Sequence, residues 1–140
     1  MLMKRRHIQS IRTIVAASVL TAALALAGCG GDPSAKDSAR LDSKELSSDE
    51  RMVAEALLDG FQHETGAATL PDADIERAAC YAKSVDMPDE YADVHKLYLA
   101  DYAAIDQDFY PWFEKKGVSM EDAWDIAERV KAGLDICAGG

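Results

Sequence analysis

The sequence predicts a small all-α domain. Apolar residues recur at spacings of three and four along most of the chain after residue 47. Helix-opening patterns stand ahead of those runs, at Ser47-Ser48-Asp49-Glu50, Met87-Pro88-Asp89-Glu90 and Ser119-Met120-Glu121-Asp122. The same stretch holds no convincing strand, internal repeat or low-complexity tract. A length of 140 residues is a prior for one domain. The expectation is a single domain of four to five helices closed by one disulfide.

The first element is not part of that domain. Lys4, Arg5, Arg6 and Arg12 make a basic opening, and Thr13 to Ala25 is an uncharged run of mostly Ala, Val, Leu and Ile. That run is 13 residues long, whereas a span of the roughly 30 Å hydrocarbon core takes about 20 helical residues. A short apolar run behind a basic opening reads as a signal peptide, covering residues 1–28. It ends in Leu26-Ala27-Gly28-Cys29. These four residues resemble the lipobox of bacterial lipoproteins: a branched apolar residue, two small residues and the cysteine. The resemblance implies a diacylglyceryl group in thioether linkage on Cys29 and cleavage between Gly28 and Cys29. It implies a protein lipid-anchored on the extracytoplasmic face of a bacterial membrane. Gly30 stands where an Asp often retains a lipoprotein at the inner membrane. In a Gram-negative cell the implied residence is therefore the periplasmic side of the outer membrane. The resemblance covers about the first 30 residues and does not classify the rest.

Residues 29–46 are expected to be the lipidated cysteine and a flexible tether. The stretch Gly30 to Leu46 is rich in Gly, Ser, Asp and Lys, with scattered apolar residues. Such composition buries too little surface to offset chain entropy. A coil of this length would reach about 20–25 Å.

The helical domain is expected over 47–140. The first predicted helix runs from about Ser48 to His63, with Val53, Leu57, Leu58 and Phe61 on its face, and Gly66 and Pro71 break the chain after it. The second carries Ile75, Ala78, Ala79, Ala82 and Val85. The third, opened by Pro88, shows Tyr91, Val94, Leu97, Tyr98, Tyr102 and Ile105. A short fourth segment holds Phe109, Tyr110, Trp112 and Phe113 around Pro111, and Gly117 has the look of a C-cap. The last helix has one apolar stripe of Met120, Ala123, Trp124, Ala127, Val130, Leu134 and Cys137.

With Cys29 assigned to lipid, Cys80 and Cys137 remain, and an exported domain is oxidised. An even pair there reads as a disulfide. Two free thiols or a redox pair are the alternatives, and the spacing is unlike C-x-x-C. A closed loop of about 57 residues would add on the order of 4 kcal/mol in the chain-entropy model. Cys80 falls off the Ile75–Ala79–Ala82 face. A bond to Cys137 would therefore bring the last helix onto a second side of the second helix and make that helix central.

Charge bounds the partners. Lys4, Arg5, Arg6 and Arg12 are the only formally charged residues before Cys29. From Cys29 onward 11 bases face 25 acids, a formal charge of −14. Such a surface repels phosphate backbones, so no nucleic-acid partner is expected. His63 lacks the second histidine of a zinc-protease motif, and no phosphate-binding or nucleophile-elbow motif occurs. Asp106-Gln107-Asp108 lacks the Gly and Glu of a calcium loop. No metal, cofactor or catalytic residue is expected, and both retained histidines, His63 and His95, read as surface or partly buried. The expected role is a non-enzymatic binding or interaction module, with an envelope protein or a peptidoglycan fragment as partner. Phe109, Tyr110, Trp112 and Phe113 are its candidate surface, since four aromatics in five residues cannot all face one core. The alternatives are an enzyme with a carboxylate site, using Asp101, Asp106 or Glu114, and a purely structural envelope component.

Overall fold

The computed structural model describes residues 33–102, 105 and 109–139, and among them six α-helices and no strand. They are α1 (Pro33–Arg40), α2 (Ser48–Thr65), α3 (Asp72–Ser84), α4 (Ala92–Asp101), α5 (Tyr110–Glu114) and α6 (Met120–Ile136). Short 3₁₀ turns at Leu41–Lys44 and Asp89–Tyr91 join α1 to α2 and lead into α4. The signal-peptide stretch, Cys29 and Gly30 lie outside the described residues, as do Asp106 and Asp108.

Local chemistry sets the helix ends. Ser47 accepts from the Glu50 amide while the Glu50 carboxylate accepts from the Ser47 amide, a complete capping box. Ser119 caps α6 in the same way, its hydroxyl accepting from the Asp122 amide at 3.1 Å. Gly117 follows α5 at φ 74°.

Packing begins on α2. Ala54, Leu57 and Leu58 are buried, and Ile75, Ala78, Ala79 and Ala82 of α3 lie in the same core. On the other flank, α2 and α4 come close at Gly60. A Cβ there would sit 2.3 Å from the Leu99 carbonyl oxygen, so only glycine permits the approach. This rotates α4 relative to the expected stripe. His95, Tyr98 and Leu99 face inward, while Leu97 and Tyr102 are exposed.

The last helix is also rotated. Ala123, Ile126, Val130, Gly133 and Cys137 are buried, whereas Met120 and Trp124 are exposed. Gly133 explains the turn. A Cβ on it would lie 2.7 Å from Cε2 of Tyr81, so α6 presents its one side-chain-free position to a buried ring of α3. One residue from Tyr81, Cys80 bonds Cys137, with 5.9 Å between their Cα atoms. Helix α3 is thus covered by α2 on its alanine face and by α6 on another side, the arrangement the cysteine positions predicted.

The tether expectation does not hold for residues 33–44. They form α1 and its 3₁₀ turn, and both pack on the domain. Leu41 is 1% exposed and Asp37 0%. Asp37 accepts from Arg40 at 2.7 Å, from Gln62 of α2 at 2.8 Å and from the Leu70 amide at 3.0 Å. Arg40 also donates to the Leu70 carbonyl at 2.6 Å and pairs with Asp72. Burial alone would raise the Asp37 carboxyl. The hydrogen bonds from Leu70, Arg40 and Gln62, with the Arg40 charge, hold it below the ordinary carboxylate range instead. Composition hid this because the segment is anchored by a satisfied buried carboxylate and one leucine rather than by an apolar stripe.

Two outcomes test this packing. Asp37→Ala leaves the Leu70 amide and the Gln62 side-chain amide without this acceptor, takes one of three acceptors from Arg40, and is expected to lower stability by about 3 kcal/mol in urea unfolding. A change below about 0.5 kcal/mol would show that α1 adds nothing. Cys80→Ala or Cys137→Ala is expected to cost about 2–5 kcal/mol. Thiol titration of the denatured, unreduced domain should find neither Cys80 nor Cys137 free, and two free thiols would disprove the bond.

Candidate functional site

The aromatic residues of the fourth predicted segment serve as a plug more than as a surface. Phe113 is fully buried. Phe109, Tyr110 and Trp112 are half-buried and pack against the core. A five-residue helix with Pro111 in its first turn turns Phe113 inward. There it stacks on Tyr98 of α4, ring centroids 4.9 Å apart, and meets Phe109 and Trp112 edge-on. The expectation of an interaction surface therefore fails at Phe113, and its neighbours keep only an outer edge.

The exposed aromatic is one that the apolar stripe had placed inside. Trp124 of α6 is 54% exposed and stands perpendicular to Phe109, centroids 4.7 Å apart. Tyr102, at the end of α4, is also exposed and packs edge-on to Tyr98. Lys116 lies over the Trp112 ring, 5.5 Å from its centroid. An aromatic cluster thus joins α4, α5 and α6 and reaches solvent at Tyr102 and Trp124.

Two of the three candidate carboxylates, Asp101 and Glu114, are among the described residues. Asp101 accepts from Trp112 Nε1 at 3.1 Å and so orients an aromatic side chain. Glu114 is exposed on α5, and Asp106 lies outside the described residues. Among the described residues no three His, Cys, Asp or Glu side chains form a group that could hold a metal ion.

The histidines divide. His63 is exposed and donates from Nδ1 to the Ala100 carbonyl at 3.1 Å, tying the end of α2 to the end of α4. His95, expected to be at the surface or partly buried, is only 1% exposed. Its Nε2 lies 2.7 Å from the Tyr81 hydroxyl, which is itself fully buried. Burial and the nearby Lys96 charge push the His95 imidazolium down to about 4. Burial likewise raises Tyr81, with Tyr98 adding to the effect. Both groups are therefore neutral at pH 7, and a single proton lies between them. The hydroxyl donates to Nε2 in one imidazole tautomer, and Nε2–H donates to the hydroxyl oxygen in the other. The sequence reading missed this pair because the expected stripe of α4 left out Leu99, which lies one turn from His95 on the buried face.

His95 lies beneath a groove of about 200 Å³ between the start of α2, the end of α3 and the start of α4. Met52, Val53, Val85 and Met87 supply its apolar lining, and Asp49, Glu50, Asp89 and Lys96 its charged side chains. The His95–Tyr81 pair fastens α3 to α4 within the core. Comparison with protein-family models, curated proteins and solved structures yields no match for this chain.

The pair makes stability depend on pH with a definite sign. Unfolded, His95 takes up a proton near its ordinary value of 6.5. Folded, it refuses one until about 4. The unfolded state therefore binds more protons between these limits, and stability falls as pH drops through that window. The amplitude is on the order of 3 kcal/mol, complete above pH 6.5 and lost by about pH 4. His95→Gln is expected to flatten this interval. Urea midpoints at pH 7 and 4.5 check it, and an equal acid loss in both proteins would rule His95 out.

Proposed function

We propose that this chain is a lipid-anchored protein of the bacterial cell envelope whose folded domain is a non-enzymatic interaction module. One observation carries the reading: Leu26-Ala27-Gly28-Cys29 closes a basic opening followed by a short apolar run. The Cys80–Cys137 bond supports the same compartment, since disulfides persist in oxidising spaces outside the cytoplasm. No described helix is long and apolar enough to cross a membrane. In this reading the membrane is held by lipid. One acyl chain binds marginally and two bind durably, so a diacylglyceryl group on Cys29 needs no basic patch to assist it.

The module's partner is an envelope protein or a peptidoglycan fragment. The surface best suited to it is the outer edge of the aromatic cluster, with Trp124 exposed beside Phe109. An aromatic ring in solvent offers a flat apolar face to a peptide or a sugar ring at low entropic cost. Gly30 after the lipidated cysteine supports outer-membrane residence where an outer membrane exists.

Cys29→Ser is the test. The variant is expected to keep its leader and lose membrane association, while wild-type protein takes up a fatty-acid probe. Equal probe incorporation in the two proteins would defeat the lipid-anchor reading.

A further inference from the structure

We infer that the groove above His95 docks a basic segment of another protein. An apolar side chain of that segment enters the groove, and Lys or Arg side chains beside it meet carboxylates on the rim. The groove shares no residue with the aromatic cluster and is a second surface, independent of the lipid anchor.

Small residues make the groove, and a fixed one keeps it open. Ala82 near the end of α3 and Ala92 at the start of α4 lack the bulk to fill it. His95 beneath them is held by the Tyr81 hydroxyl at 2.7 Å, so its ring does not swing into the gap. The walls are apolar. Val53, Val85 and Met87 are half-buried, and Met52 is 43% exposed. A volume of about 200 Å³ lies below the roughly 300–1,000 Å³ of small-molecule sites. It suits the side chains of a peptide better than a cofactor. Met52 and Met87 are unbranched and adapt to the shape of an inserted group.

Charge selects the occupant. Asp49 and Glu50 of the first turn of α2, and Asp89 of the 3₁₀ turn before α4, border the apolar walls on two of the elements that frame the groove. The basic residue among them, Lys96, is taken by Asp93 at 3.2 Å and does not offset them. Glu50 gives Oε2 to the Ser47 amide. Asp37 and Glu76 are each held by a base, whereas the exposed Asp49 and Asp89 pair with no base among the described residues. An apolar centre with a rim of one sign is complementary to a segment that is apolar in the middle and of the opposite sign beside it. An anionic headgroup would be repelled. A second copy in a two-fold contact would set one acidic rim against another, on chains that each carry −14 from Cys29 onward.

The test titrates the protein, as its host cells make it and kept in a neutral detergent, into fluorescein-labelled peptides at physiological ionic strength. The probes are Lys-Lys-Leu-Leu-Lys-Lys and its forms with Phe-Phe or Met-Met at the centre, and fluorescence anisotropy reads binding. Saturable binding of at least one probe is expected. Placing Ser-Ser at its centre should weaken binding at least about fivefold. Asp49→Lys with Asp89→Lys should weaken it at least about tenfold, because two attractions become repulsions. Glu64→Lys with Glu128→Lys makes the same change in net charge at exposed positions outside the groove. That pair should stay within about twofold of the wild type, since distant exposed charges are screened. Circular dichroism checks that each variant is folded. If the Asp49 and Asp89 pair does not fold, Asp89→Lys alone takes its place, with a loss of at least about threefold. Binding of none of the three probes would overturn the site. Equal losses in the two charge-reversed pairs would do so too, marking attraction to the whole acidic surface. So would a dimer in sedimentation that Met52→Ser dissociates, since a second copy would then fill the groove.

Discussion

The domain is organised by the need to bury Tyr81. This side chain projects from α3, a helix whose other inward residues are mostly alanine, so little else on α3 fills space on that side. The ring reaches α6, where Gly133 lets it lie against bare backbone, and its hydroxyl reaches His95 on α4. A buried hydroxyl without a partner costs on the order of 1–3 kcal/mol. Placing α4 so that His95 meets it removes that cost. Cys80, the preceding residue, is then on the side where the end of α6 passes, and the bond to Cys137 follows from that position. One buried phenol thus joins α3 to both α4 and α6 and stands next to the crosslink.

Much of the fold was legible in the sequence because much of it obeys local rules. The capping serines, the five helices from Ser48 onward with the short aromatic one among them, and the pairing of the cysteines follow from spacing and cap chemistry. Two stripes were misjudged, and for one physical reason. On α4 and α6 the rotation is chosen by a glycine, Gly60 opposite Leu99 and Gly133 opposite Tyr81. A glycine adds nothing to an apolar pattern, yet it marks where another chain comes closest. Leu97, Met120 and Trp124 were counted inward by hydropathy. They lie outward because backbone proximity ranks above the burial of any one large side chain.

The aromatic segment shows a similar limit. Four aromatics in five residues cannot all share a face, and that much is geometry. Which of them turns inward depends on Pro111 and on Tyr98, a residue eleven positions or more away. Phe113 takes the core position, and Asp101, read as a candidate acid, is occupied in holding the Trp112 indole. The cluster's solvent edge consequently falls at Trp124 and Tyr102, on neighbouring helices.

Helix α1 reverses the usual relation between polarity and disorder. A segment with few apolar residues cannot fold on burial alone. This one folds because its central carboxylate reaches donors that the rest of the domain leaves unsatisfied. The Leu70 amide and carbonyl lie just before the first turn of α3 and belong to no helix. Asp37 meets the amide, and Arg40 meets the carbonyl while pairing with Asp37 and Asp72. Exposed ion pairs such as Lys131–Asp135 contribute little, because water competes for both partners. Asp37 differs because water cannot reach it, so each of its three hydrogen bonds replaces solvation already given up. A polar segment is in this way fastened as firmly as an apolar one. The signal lies in residues 25 and 33 positions away, beyond the range of any local pattern.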